Sequence, residues 1–171
     1  KTTVHAMGEE AILNALKAGI DCIEHGVNLS DEAIEIMCQR DVHYVPTASG
    51  ITTVYKREAE RGNREVADMI FKRVVEPQMD SIRKAYERGI TIGCGTDTLG
   101  DVVDELKIFE ACGMTKMDCI RTATANASKI CGLDRIVGTV EVGKRADLLI
   151  VQGNPLEDLE ILSNVFFVIK D

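Results

Sequence analysis

Short apolar runs and longer amphipathic stretches take turns along the chain up to Gly132. The runs are Thr2–His5, Ile20–His25, Val42–Pro46 and Ile90–Gly95, each bounded by turn residues, and each predicts a strand. Between them the apolar spacing lengthens to a helical one. Glu9–Ala18 carries apolar residues at 11, 12, 13, 15 and 16, and Gly19 ends it. Ser30 caps a helix running through Gln39, with Ile34, Ile36 and Met37 apolar. A long charged helix runs from Arg64 to Arg88, bent or broken near Pro77 and stopped by Gly89. Val102–Ala111 follows, then a helix starting at Thr115 with Asp118 three residues on, then Ala125–Ile130. The segment after the third strand, "TASGITTVYKREAERGN", reads as a polar connection.

Four short apolar strands alternating with helices predict parallel strands joined by helical crossovers, with both sheet faces covered. After Gly132 the texture changes to Val, Ile and Gly turns. Three strands are predicted there, at Gly138–Val140, Asp147–Val151 and Val165–Ile169. The organisation expected is therefore a unit over 1–132 and a partial β-rich unit over 133–171.

Composition removes several function classes. A net charge of −8 argues against a nucleic-acid surface and against a polybasic membrane anchor. Aromatic residues make up 4% of the chain, with no Trp, too few for a base-stacking platform. No apolar run reaches the roughly 18 residues of a membrane span. The six cysteines include no CxxC pair, so reduced thiols and a cytoplasmic location are expected.

The chemistry-bearing residues cluster at strand ends. His5, His25 and Asp97 fall at the C-terminal ends of three different predicted strands, the edge of an α/β sheet where ligands and catalysts collect. By strand alternation Thr3 and His5 share a face, as do Ile23 and His25, with Glu24 opposite. Gly93, Gly95 and Asp97 share another, where the two glycines leave space beside the carboxylate. Two neutral imidazoles and a carboxylate suit a divalent metal, zinc above all. Asp97 is the candidate catalytic residue, able to touch both the metal and its water. His43 begins its strand and reads as structural. Tyr55, Lys56 and Arg57 in the connection could reach a substrate carboxylate, so Tyr55 and Arg57 are the substrate-binding candidates. Thr47 and Ser49 read as turn residues, and Thr98 as a candidate orienter of the Asp97 carboxylate. A phosphate-binding barrel is disfavoured because "GCGTDTLGD" ends in acids.

"VHAMG", "CIEHG" and "GCGTD" resemble the strand-five, strand-six and strand-eight signatures of the amidohydrolase superfamily. The tail "ATANASKICGLDRIVGTVEVGKRADLLIVQGNPLEDL" resembles its C-terminal stretch, nearest to imidazolonepropionase and Xaa-Pro or Xaa-Arg dipeptidase-like members. The resemblance implies an α/β fold of the TIM (β/α)8 type and metal-dependent hydrolysis of an amide, peptide or cyclic amide bond in a small-molecule or dipeptide substrate. It also implies His5, His25 and Asp97 as metal ligands. Two family features have no counterpart here: the His-x-His motif after strand one and the strand-four ligand. Met7 stands where many relatives carry a second histidine. Four strand–helix units make half a barrel, which typically needs about 250 residues when complete. The expectation is thus the C-terminal half of a larger enzyme, strands five to eight, inactive alone and forming a homo-oligomer through exposed barrel edges. A non-catalytic α/β module that binds a partner is the alternative.

Overall fold

The computed structural model describes residues 1–171. Three parallel strands, β1 (Thr3–Ala6), β2 (Cys22–His25) and β3 (His43–Val45), form a sheet in sequence order. Its register pairs His5 with Glu24 and Ala6 with His25, then Cys22 with His43. The crossovers are α1 (Glu9–Lys17) and α2 (Asp31–Arg40). In α1 the residues Ile12, Ala15 and Leu16, spaced by three and four, turn inward. Ser30 caps α2 as expected, its Oγ accepting from the Ala33 N–H at 3.3 Å.

The stretch after β3 is a helix, not a connection: α3 spans Ala48–Glu60. Only Ala48 and Ser49 of it are buried, so its sequence carries little apolar signal. The long helix divides into α4 (Arg64–Ile70), a wide π turn (Phe71–Val75) and α5 (Glu76–Glu87). Pro77 lies in the first turn of α5, and the widened turn before it accommodates the missing N–H and the ring.

The predicted fourth strand shrinks to a single parallel bridge, Tyr44 to Ile92. Tyr44 N–H donates to the Thr91 carbonyl at 3.1 Å and Gly93 N–H to the Tyr44 carbonyl at 2.9 Å. The groups on the far edge are taken by helices. Cys94 N–H donates to the Thr122 carbonyl (3.0 Å), and Asn126 Nδ2 to the Ile92 carbonyl (2.9 Å). That edge is therefore partly satisfied, whereas β1 is hydrogen-bonded within the sheet only to β2. The glycines do not leave open space either. A Cβ on Gly95 would meet Val45 Cγ1 at 2.6 Å, and one on Gly93 would meet Ile130 Cδ1 at 2.6 Å.

The remaining helices are α6 (Val102–Ala111), α7 (Lys116–Thr122) and α8 (Ala125–Cys131). Thr115 starts α7 as its sequence predicts, accepting from the Asp118 N–H at 3.1 Å while its hydroxyl donates to the Asp118 carboxylate at 2.7 Å. A single core joins these layers, with Ile23, Tyr44, Ile82, Ile92, Leu106 and Phe109 at its centre.

Beyond α8 the expected strand at Gly138–Val140 is absent. Gly138 has φ +98° and presses on Ser128 of α8, so the chain turns there instead of extending. The other two strands form as an antiparallel ribbon, β4 (Leu148–Val151) with β5 (Val165–Ile169). Between them a 3-10 turn, Leu159–Ser163, sends Leu159 into the core, and Glu160 pairs with Lys107 of α6. All six cysteines are free. No helix is long and apolar enough to cross a membrane.

Candidate functional site

The C-terminal tips of the sheet converge on a pocket of about 250 Å³ lined by His5, Met7, His25, Thr47, Gly50, Ile51, Val54, Asp97, Thr98 and Leu99. The two imidazoles meet edge to face, with ring centroids 4.3 Å apart. All three site residues predicted for the strand ends line this one cavity.

Strand alternation does not explain how His25 gets there. Thr3 Oγ1 donates to Glu24 Oε1 at 3.0 Å, so His5, two residues on from Thr3, faces the side that Glu24 faces. Ile23 is fully buried in the core on the opposite side. Strict alternation would send His25 after Ile23, into the helices. Instead His25 leaves the strand in the left-handed region, φ +66°, and its ring swings toward His5. Thr47 (φ +55°), just past β3, and Asp97 (φ +54°), past the fourth segment, adopt the same conformation. A β-branched residue such as Thr47 rarely does so. Each such residue costs about 1–3 kcal/mol and persists only where its surroundings fix it.

Those surroundings are a buried polar network. Tyr44 Oη donates to the carbonyls of His25 (2.9 Å) and Gly26 (3.2 Å). Gln78 Nε2, from α5, donates to the carbonyls of His25 and Pro46 and so ties two strand tips together. A Cβ on Gly26 would lie 2.5 Å from the Tyr44 ring, so only glycine admits this contact. Thr47 Oγ1 donates to the Pro46 carbonyl at 2.6 Å and sits 2.6 Å from His25 Nδ1. With its one hydrogen committed to Pro46, the hydroxyl accepts from Nδ1–H of His25, which leaves Nε2 as the ring's free lone pair. Burial, and secondarily the neighbouring His5, hold the His25 pKa below the usual imidazole range, favouring the neutral ring a metal ligand must be.

The site also uses residues that sequence reasoning missed. Glu105 of α6 is fully buried, and its two oxygens accept from the N–H groups of Ala48 (2.9 Å) and Ser49 (2.6 Å) at the start of α3. Burial raises its pKa, opposed by those N–H groups. The available signal was a carboxylate on the apolar stripe of α6, four residues before Phe109. Gln78 stands likewise on the buried stripe of α5 with Ile82 and Ala85.

The other candidates fall elsewhere. Tyr55 and Arg57 lie on α3, whose Gly50, Ile51 and Val54 form the pocket wall; Tyr55 packs on Phe71, ring centroids 5.5 Å apart. Thr47 is not a simple turn residue but the N-cap position of α3, and Ser49 lies in that helix's first turn. Thr98 lines the pocket without a hydrogen bond to the Asp97 carboxylate; Thr96 Oγ1 reaches the Asp97 carbonyl at 3.5 Å. His43 is buried, its pKa lowered by that burial, in keeping with a structural ring. No group of three or more His, Cys, Asp or Glu side chains is placed to hold a metal ion, so His5, His25 and Asp97 line one pocket without forming a ligand cluster.

The chain is similar in sequence and fold to known proteins. Ochratoxinase from Aspergillus niger is 34% identical over 167 residues, covering 93% of this chain and 34% of its own length. The crystal structure of a Xaa-Pro dipeptidase with bound methionine in its active site superposes with a TM-score of 0.86 at 37% identity, over 98% of this chain and 43% of that one. The A. niger ochratoxinase structure gives 0.84 at 28% identity, over 98% and 39%. The chain thus spans between about a third and under half the length of these relatives. The sequence profile of the Amidohydrolase family matches residues 1–171, from end to end, and the chain belongs to that family.

Proposed function

We propose that this chain supplies strands five to eight of a (β/α)8 barrel, and one half of a metal site, in an enzyme that hydrolyses a C–N bond. Residues 1–132 form the half-barrel and 133–171 part of a β-rich domain. The observation that carries this reading is the convergence of His5, His25 and Asp97 on one pocket at the tips of a parallel sheet. Family membership over the whole chain adds to it.

Two neutral imidazoles and a carboxylate fit a divalent cation of the zinc type. Such an ion, when bound, lowers the pKa of its water toward about 7. The chain's own residues do the rest. Thr47 orients His25 and keeps its Nε2 unprotonated. Asp97, which lines the same pocket, would take the proton of the attacking water and return it to the leaving nitrogen. Met7, Ile51, Val54 and Leu99 give the pocket apolar walls suited to a small-molecule or dipeptide substrate. A closed zinc site takes four ligands, and this chain offers at most three, so the remainder come from the rest of the enzyme. The isolated 171 residues are expected to bind zinc weakly and to turn over negligibly. The uncovered edge of β1 is expected to pair with a second copy in the isolated chain.

Zinc titration of the chain and of H25A by calorimetry tests the ligand assignment, with at least tenfold weaker binding expected for the variant. Equal affinity of the chain and the double variant H5A/H25A would sink it. In a longer protein carrying these residues, D97N should lower kcat for dipeptide hydrolysis by about 100-fold or more. Clean monomer at high concentration in sedimentation would count against pairing at β1.

A further inference from the structure

We propose that Glu105 is a positioning residue for the pocket: by capping α3 in place of Thr47, it frees the Thr47 hydroxyl to fix the orientation and tautomer of His25. A threonine at an N-cap ordinarily turns its own hydroxyl onto the N–H groups of the first turn. Thr47 does not; it makes no side-chain cap bond, and its backbone is left-handed. Its hydroxyl is spent on Pro46 and His25. The first-turn N–H groups of α3 would then be orphaned in a buried setting. Glu105, from a helix 57 residues further along the chain, accepts from Ala48 and Ser49 together. A carboxylate at a helix N-terminus also complements the helix dipole.

The same anchor reaches the Asp97 loop. Gly50 and Gly100 admit close packing between the first turn of α3 and residues 96–100. A Cβ on Gly100 would lie 2.2 Å from Ser49 Oγ, and one on Gly50 would lie 3.1 Å from the Thr96 carbonyl. The start of α3 is thus wedged between the two tips that carry His25 and Asp97. Glu105 is the one side chain that accepts from its Ala48 and Ser49 N–H groups. It makes no hydrogen bond to either imidazole and lines no part of the pocket.

The functional consequence rests on the reading of His25 as a ligand, but the structural claim can be measured without metal. The chain has three histidines, so nitrogen NMR of 15N-histidine-labelled protein resolves each ring. In the wild type His25 should show a protonated Nδ1 and an unprotonated Nε2. E105Q should move His25 toward a tautomer mixture while His43 stays unchanged. T47V should do the same, and T47S should restore the wild-type pattern. L106A, which damages the core beside Glu105 without touching the network, should leave His25 unaltered. An unchanged His25 in a folded E105Q overturns the proposal. E105D, which keeps the charge but withdraws it from both N–H groups, replaces E105Q if the latter does not fold. Failure of both to fold while L106A folds would overturn it too, assigning Glu105 to global stability. Zinc titration alongside separates the two readings. Loss of zinc affinity by about 10–100-fold in E105Q, with the tautomer shift, supports both. A tautomer shift in a chain that never binds zinc leaves this inference standing and counts against His25 as a ligand within these 171 residues.

Discussion

Helix α6 and the β4–β5 ribbon both carry large apolar side chains, but only the helix takes them out of water. Leu106 and Phe109 are fully buried, and they share their face with a buried carboxylate. Phe166, Phe167 and Val168 of β5 are more than half exposed, and Leu149 and Ile150 of β4 are also open. A two-stranded ribbon is marginal by itself. This one is held through its neighbours: Leu159 enters the core, and Glu160 pairs with Lys107. The lesson is about where rigidity resides. The sheet, α5 and α6 over-determine the strand tips, down to three left-handed residues. The ribbon's apolar faces, by contrast, have little packed on them.

Core truncation should separate the two regions most sharply. F109A is expected to cost about 3–5 kcal/mol in urea denaturation, because it empties a fully buried site. F167A, at 58% exposure, should stay within about 0.5 kcal/mol. Equal costs would mean that the ribbon is covered in solution and the contrast is false. A smaller effect is expected at the tips. Y44F removes one hydroxyl shared by the His25 and Gly26 carbonyls and should cost about 1–2 kcal/mol. It should also broaden the His25 NMR signal, which F167A should not.

T115A should cost about 1 kcal/mol, the usual worth of an N-cap. It carries a pH signature as well. The hydroxyls of Thr115 and then Tyr86 hold the Asp118 carboxyl below its ordinary value. The resulting stabilisation is present above the unfolded carboxylate pKa of about 4 and is lost as pH falls through the lower folded value. T115A should flatten that acid limb of the stability curve. The smallest perturbation is chemical labelling. Burial pushes the thiols of Cys94 and Cys119 up to about 12 and those of Cys22 and Cys112 up to about 11. Iodoacetamide at pH 8 should therefore modify only the exposed Cys38 and Cys131 in the native chain, read by mass spectrometry. Rapid labelling of Cys22 or Cys94 would show that the sheet region opens as readily as the ribbon.

Much of the sheet region is legible in the sequence because its signals are local. Ile12, Ala15 and Leu16 recur at helical spacing, and Ser30 and Thr115 cap the helices they precede. His5 and His25 sit at the C-terminal ends of β1 and β2, and Asp97 follows the segment bridged at Ile92, because each comes at the end of a short apolar run. Helix α3 is not legible. "TASG" looks like a loop, and the carboxylate that makes it a helix start is 57 residues away, on α6. The predicted strand at Gly138–Val140 fails for a similar reason, since only its contact with Ser128 shows that Gly138 must turn.

What the sequence determined by itself is the alternation of β1, α1, β2, α2 and β3 and which polar residues follow the apolar runs, because hydrophobic period and capping act over a few neighbouring positions. What tertiary structure alone decided is where those tips point. Alternation would have buried His25 beside Ile23. Its left-handed backbone, held by Tyr44, Gln78 and Thr47, turns the ring to His5 instead. A conformation that costs free energy locally survives only where distant parts of the chain combine to enforce it.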